Sequence, residues 1–110
     1  MEVDVEKYAK TAVIKLSGRL DVNTSPDLRK AVFRLYNKAK YKSITIDFSE
    51  VSFIDTSGLA TLLEILVSAK EQAAQLTLSN LNDKLEYLLD VNGLARFFTI
   101  RNADRERVRD

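Results

Sequence analysis

Residues 44–66, ITIDFSEVSFIDTSGLATLLEIL, decide the fold of this chain. The stretch opens with strict alternation, in which Ile44, Ile46 and Phe48 share one face and polar residues share the other. It closes with leucines that recur at helical spacing. A strand that alternates in this way is covered mainly on one side, because a strand buried on both faces is continuously apolar. The stretch therefore predicts a strand–loop–helix unit of an α/β protein.

Segments of the same two kinds continue on either side of this unit. We predict strands at residues 3–8, 12–17, 44–48, 76–79 and 97–100. The pattern Asn-Thr-Ser-Pro-Asp at 23–27 predicts the start of a helix that ends near Lys40, and further helices are predicted at 57–73 and 82–91. The first two strands are close enough to form a hairpin. The expected fold is one α/β domain with a mixed, mostly parallel sheet of four to five strands, an N-terminal hairpin and helices mainly on one face.

Composition excludes several classes of site. The 110 residues contain neither cysteine nor histidine, so a disulfide framework, a Cys/His zinc site and catalysis by an imidazole base are all excluded. The formal net charge of +1 argues against nucleic acid as a direct partner, since phosphate-binding surfaces normally carry a basic excess. We expect no metal and no cofactor.

No feature of the sequence indicates a membrane or secreted protein. No apolar run approaches the length of a membrane-spanning helix. The N-terminus, Met-Glu-Val-Asp-Val, lacks the basic region and apolar stretch of a signal peptide. We therefore expect a cytoplasmic protein without membrane insertion.

Ser57 lies at the start of the helix predicted at 57–73. With about 100° of rotation per residue, the leucines at 59, 62, 63 and 66 centre on the side opposite Ser57. This projection predicts that Thr61, Glu64 and Ser68 lie on the solvent face with Ser57, and that Ile65 lies on its flank. A hydroxyl group would then face water at the N-terminus of the helix.

A serine at this position has two interpretations. It can be the N-cap, whose oxygen accepts a hydrogen bond from an early helix amide and contributes about 1 kcal/mol. It can also be a phosphorylation site, since a phosphate with about −1.5 to −2 charges meets free backbone N–H groups and the positive end of the helix dipole. The fold would tolerate that phosphate, whereas a partner packed on the same surface need not.

The segment Ile54-Asp55-Thr56-Ser57-Gly58-Leu59 closely resembles the Asp-Ser-Ser-Gly-Leu signature of the STAS-domain anti-sigma-factor antagonists. Three further segments, at 16–21, 46–51 and 81–94, resemble that family in the same order and spacing, so that the resemblance covers nearly the whole chain. It implies a single STAS-like domain at 1–100, followed by a charged tail or frayed helix at 101–110.

The resemblance also implies a partner-switching function. Family members bind an anti-sigma factor with serine kinase activity and so release a sigma factor; phosphorylation ends the binding, and a phosphoserine phosphatase resets the cycle. By position, Ser57 is the phosphorylated residue. Thr56 stands where the family more often has serine and supplies a second hydroxyl group. The expected partner-binding residues are Asp21, Asn23, Thr24, Asp55, Thr56, Gly58, Thr61, Glu64, Ile65 and Ser68.

Three alternatives remain open from the sequence. STAS subunits of phospholipid-transport ABC complexes have a similar Asp-Thr-Ala/Ser-Gly-Leu junction, which there docks on the ATPase. An enzyme is disfavoured because Ser57 has no histidine or nearby lysine to activate it and no nucleotide-binding motif is present. A purely structural domain would bind no partner through this surface.

Overall fold

The computed structural model describes residues 1–39 and 41–102. Its strands are β1 (Glu2–Lys7), β2 (Thr11–Leu20), β3 (Ser43–Ile54), β4 (Gln75–Ser79) and β5 (Thr99–Arg101). Its helices are α1 (Ser25–Phe33), α2 (Thr56–Glu71) and α3 (Asp83–Val91). A π-helical turn, Arg34–Lys38, extends α1, and a 3-10 turn, Ala95–Phe97, precedes β5. Arg101, the first residue of the tail or frayed helix predicted at 101–110, is the last residue of β5, and residues 103–110 lie outside the described residues.

The five strands form one sheet in the sequential order β1-β2-β3-β4-β5. β1 pairs with β2 in an antiparallel hairpin, and every later pair is parallel. A helix connects each parallel pair, and right-handed crossovers that advance in one direction across a sheet place these helices on the same face. The predicted mixed sheet with an N-terminal hairpin is confirmed.

The two faces of the sheet differ in composition. On the helix side, Ile14, Ile46 and Leu78 lie in register on neighbouring strands and are fully buried. On the opposite side, one row of paired positions crosses the whole sheet and is polar throughout: Asp4, Lys15, Asp47, Ser79 and Arg101. This asymmetry agrees with the alternation in the sequence and places the hydrophobic core between the sheet and the helices.

Two strands run further than their alternation predicts. β2 extends to Leu20 and β3 to Ile54, and register shifts interrupt their pairing at Lys15/Ser17 and at Gly18/Arg19. Gly18 has a φ of +94°, a conformation that glycine adopts at little cost. Such irregularities break the two-residue periodicity while hydrogen bonding continues, so the sequence pattern stops before the strand does. Because of this extension, β2 and β3 both reach the end of the sheet at which α2 begins.

α2 is 16 residues long. None of the helices in the described residues is long and apolar enough to cross a membrane.

Candidate functional site

Asp55, and not Ser57, is the N-cap of α2. Its Oδ1 accepts a hydrogen bond from the Gly58 N–H at 3.1 Å, and its own N–H donates to the Leu20 carbonyl oxygen at 3.3 Å. The interpretation of Ser57 as the cap is therefore wrong. Ser57 is the second residue of the helix and is half-buried. Its hydroxyl makes no hydrogen bond among the described residues, so modifying it would remove no cap.

Gly58 allows α2 to begin directly against the end of β2. A Cβ atom at this position would lie 2.6 Å from Ile54 Cγ1 and 2.7 Å from the Leu20 carbonyl oxygen, well inside normal contact distance. Gly58 is buried, so it is not available to a partner as predicted. Its function is to bring the start of α2 next to the loop that follows β2.

The loop at 21–24 is held in one conformation by its own side chains. Asp21 Oδ1 accepts a hydrogen bond from the Asn23 N–H at 3.0 Å. Thr24 Oγ1 accepts from the Asp21 N–H at 2.9 Å and donates to the Arg19 carbonyl oxygen at 2.7 Å. Thr24 occupies the N-cap position of α1, but its side chain donates to the end of β2 and makes no capping hydrogen bond to the helix. The loop is thus ordered before any partner arrives.

Asp21 stays ionised at neutral pH. Partial burial would raise the pKa of its carboxyl group, but hydrogen bonds from Asn23 and Thr24 and the nearby Arg19 outweigh burial and hold that pKa below its usual value. Arg19 Nε lies 3.5 Å from Asp21 Oδ2, and its guanidinium group stacks 4.0 Å from the centre of the Phe53 ring. The end of β2, the loop and the end of β3 are therefore joined by polar contacts.

A groove of about 310 Å³ runs between the loop, α1 and the first turns of α2. Ser57 forms part of its wall, together with the exposed residues Val22 and Ala60. Val22 is 66% exposed and lies on the rim of this groove, which makes it a candidate contact for a partner. The full lining is Val22, Ser25, Pro26, Arg29, Ser57, Ala60, Thr61 and Glu64.

Arg29 spans the groove from α1 to α2. Its Nε lies 3.1 Å from Glu64 Oε2, and its Nη2 donates to Glu64 Oε1 at 3.2 Å and to Thr61 Oγ1 at 3.4 Å. The sequence interpretation did not identify Arg29. In the sequence, Arg29 lies beside the apolar stripe of α1. This position indicates that Arg29 flanks the core, but it does not indicate which helix the side chain contacts.

The predicted solvent face of α2 is rotated from the observed one. Thr61 is 1% exposed and Ile65 is fully buried, so the prediction that both are accessible is wrong. α1 packs along this side of α2, and Arg29 covers Thr61. The exposed side of α2 instead includes Val67, which is 56% exposed. The projection assumed that all four leucines are in the core, whereas Leu63 and Leu66 are only half-buried.

The other predicted contact residues divide between the rim of the site and the helix beyond it. Asn23, Thr56 and Glu64 are exposed, and Asp21, Thr24 and Asp55 are half-buried. Ser68 is half-buried and accepts a hydrogen bond from the Gln72 side chain at 3.2 Å. It lies 11 positions after Ser57, about 16 Å further along the axis of α2. The structure thus brings the 21–24 loop and the 55–57 turn together and leaves Ser68 apart from them.

Comparison with protein families identifies the STAS domain over residues 2–106. The anti-sigma-B factor antagonist of Listeria monocytogenes is 29% identical over 93 residues, which cover 84% of this chain and 81% of that protein. The intermembrane phospholipid transport system binding protein MlaB of Escherichia coli is 36% identical over 81 residues, which cover 74% of this chain and 79% of that protein.

Solved structures show the same fold. The Bacillus anti-sigma factor antagonist SpoIIAA in its unphosphorylated form aligns with a TM-score of 0.72 at 21% identity, covering 98% of both chains. An anti-sigma factor antagonist from Mycobacterium paratuberculosis aligns with a TM-score of 0.80 at 21% identity, covering 91% of this chain and 84% of that one.

Proposed function

Because this chain belongs to the STAS domain family, we propose that it is an anti-sigma factor antagonist whose partner binding is switched off by phosphorylation of Ser57. In its unphosphorylated form it binds an anti-sigma factor with serine kinase activity, and a sigma factor is released. Phosphorylation ends this binding, and a phosphoserine phosphatase restores it. The observation that carries the proposal is a Ser57 hydroxyl without a hydrogen bond among the described residues, on the wall of an open groove.

The position of Ser57 allows phosphorylation with little loss of folding stability. Asp55 already satisfies the Gly58 N–H, so the serine hydroxyl is not needed as a cap. A phosphate on the second residue of α2 lies beside the first amides and the positive end of the helix dipole, which favour negative charge. The charge is therefore tolerated where it is placed.

The same charge destabilises the complex with a bound partner. Val22 and Ala60 give the groove an exposed apolar rim that a partner can cover. A phosphate in this groove carries about −1.5 to −2 charges, and its removal from water has to be offset by new positive contacts on the partner. A partner shaped for the neutral serine lacks those contacts and is released.

The phosphoryl transfer requires only an acceptor oxygen from this chain. Ser57 Oγ bonds to the γ-phosphorus of ATP bound in the partner, the bond between that phosphorus and the β,γ-bridging oxygen breaks, and ADP leaves. A base of the partner takes the hydroxyl proton. On this proposal the chain is a substrate and regulator and not an enzyme, and it acts in the cytoplasm, where ATP is available.

Substitution of Ser57 tests the proposal. The intact protein is used to capture its partner from the native cell, and the recovered kinase is assayed with purified variants. Ser57→Ala should bind the kinase but accept no phosphate. Ser57→Asp should bind at least tenfold more weakly while its melting temperature stays close to that of the wild type, because a negative charge suits the helix N-terminus. Calorimetry measures the binding, and thermal unfolding measures the stability.

Thr56→Ala is the matched control, since Thr56 presents the neighbouring hydroxyl of the same helix turn and is exposed. It should still be phosphorylated at Ser57. Transfer of the phosphate to Thr56 in the wild-type protein, or normal binding by Ser57→Asp, would contradict the proposed switch.

The 36% identity to MlaB supports a second candidate, in which this chain docks on the ATPase of a phospholipid-transport ABC complex. In that case α2 and the 21–24 loop form a constitutive interface. Mass spectrometry of the captured complex separates the two candidates: an ABC ATPase with an unmodified Ser57 indicates transport, and a kinase with phosphate on Ser57 indicates the sigma pathway.

A further inference from the structure

The groove contains a cation within reach of the proposed phosphate. We infer that Arg29 moves from Glu64 to the phosphate when Ser57 is phosphorylated, so that this chain binds its own phosphoserine. The inference rests on the proposed function, because it concerns the state in which Ser57 carries the phosphate.

The geometry supports a short movement. Ser57 and Thr61 are four residues apart on α2, which places their Cβ atoms about 5–6 Å from each other on one side of the helix. Arg29 Nη2 already lies 3.4 Å from Thr61 Oγ1, and all three residues line the groove. A phosphate on Ser57 Oγ would enter the same groove as that nitrogen. The end of the arginine side chain can therefore reach it without a displacement of α1.

The charges favour the exchange. In the unmodified protein Arg29 pairs with a carboxylate that is about half exposed, and exposed ion pairs are weak. A phosphate carries more charge and accepts paired N–H bonds from a guanidinium group. Of the carboxylates nearby, Asp21 is already paired with Arg19, and Asp55 accepts from the Gly58 N–H. Glu64 is therefore the group that competes with the phosphate for Arg29.

The exchange moves part of the change in charge from Ser57 to Glu64. When Arg29 leaves, it offsets part of the phosphate charge, and the Glu64 carboxylate at the rim of the groove loses its cation. Both groups line the surface proposed for the partner. The partner then meets a phosphate paired with Arg29 and an unpaired carboxylate, where it previously met a neutral hydroxyl and an ion pair.

Phosphorus NMR of the intact protein tests this inference. Phosphoserine is incorporated at position 57 during translation, so no kinase is needed, and the second pKa of the phosphate is measured by titration against its ordinary value of about 6. Arg29→Gln keeps most of the side-chain length and removes the charge. It should raise this pKa by roughly one unit. Lys30→Gln removes the same charge from the exposed neighbour that does not line the groove, and it should change the pKa much less.

Glu64→Gln isolates the competition. Glu64→Gln should lower the pKa of the phosphate in both backgrounds, because it removes a nearby negative charge. The decrease should be larger when Arg29 is present, since loss of the carboxylate also frees Arg29 to bind the phosphate. Equal effects of Arg29→Gln and Lys30→Gln, or an unchanged effect of Glu64→Gln in the double variant, would overturn the inference. Since the phosphoserine is installed without a kinase, a failure of phosphorylation in the cell would overturn the proposed function and leave this measurement valid.

Discussion

At the residue scale, the absence of one side chain positions the site. Gly58 lies in the first turn of α2, and the space that its Cβ would occupy is filled by Ile54 and by the backbone oxygen of Leu20. Because that oxygen belongs to β2, it cannot move away as a flexible side chain would. The motif glycine is therefore needed for packing, and the serine before it is placed at the groove as a consequence.

Gly58→Ala should destabilise the protein by about 1–3 kcal/mol, since the added methyl group forces the start of α2 away from β2. The better helix propensity of alanine offsets only part of this loss. Urea denaturation measures the free energy of unfolding. Gly93→Ala is the control, because no atom lies within 4 Å of its Cβ position and only its φ of +69° opposes the substitution. A Gly58→Ala variant more stable than Gly93→Ala would contradict the close approach.

At the element scale, the orientation of α2 is set by its neighbours. Its buried residues include Thr61, Ile65 and Ala69, which lie on the side of α1, as well as the leucines at 59 and 62, which line an apolar cluster with α3. The helix thus packs on two sides, and the exposed strip is narrower than one stripe of leucines suggests. Val67 lies on that strip.

Ile65→Ala and Val67→Ala test this orientation. Ile65 is fully buried, so its truncation should cost about 2–5 kcal/mol. Val67→Ala should change the free energy of unfolding by less than about 0.5 kcal/mol, as is usual for exposed positions. Equal losses in chemical denaturation would indicate that the helix has the orientation expected from its leucines alone.

At the scale of the whole molecule, the hydrogen-bonded loop couples folding to pH. The pKa of Asp21 is lowered in the folded state, so its carboxylate stabilises the fold above the unfolded pKa of about 3.9. This contribution is lost as the pH falls through the lower, folded-state value. Since the loop joins β2 to the start of α1, protonation acts on the site and on the global fold together.

Asp21→Asn should reduce the melting temperature at pH 7 and have a smaller effect once the pH is below the lowered, folded-state pKa of Asp21, where the wild-type carboxyl group is also neutral. Thermal unfolding across this range measures the difference. Asp27→Asn removes an exposed carboxylate from the first turn of α1 and is the control, with a smaller expected effect on the melting temperature at pH 7. A constant difference between Asp21→Asn and the wild type at all pH values would contradict the role of the carboxylate.

Local sequence patterns specified the class of fold, the order of the elements and the motif that carries Ser57. These features follow from local periodicity, turn residues and capping groups, which the chain contains regardless of how its elements pack. The same locality explains why β2 and β3 were predicted too short, since irregular pairing removes the alternation on which the prediction depends.

Tertiary packing determined that Thr61 and Ile65 are buried and that Arg29 reaches α2. Helical periodicity shows that a face is apolar, but it does not show how many neighbours cover the helix or from which side. Arg29 and Glu64 are 35 positions apart in the chain. Their contact exists because α1 and α2 pack side by side on one face of the sheet, which no local pattern specifies.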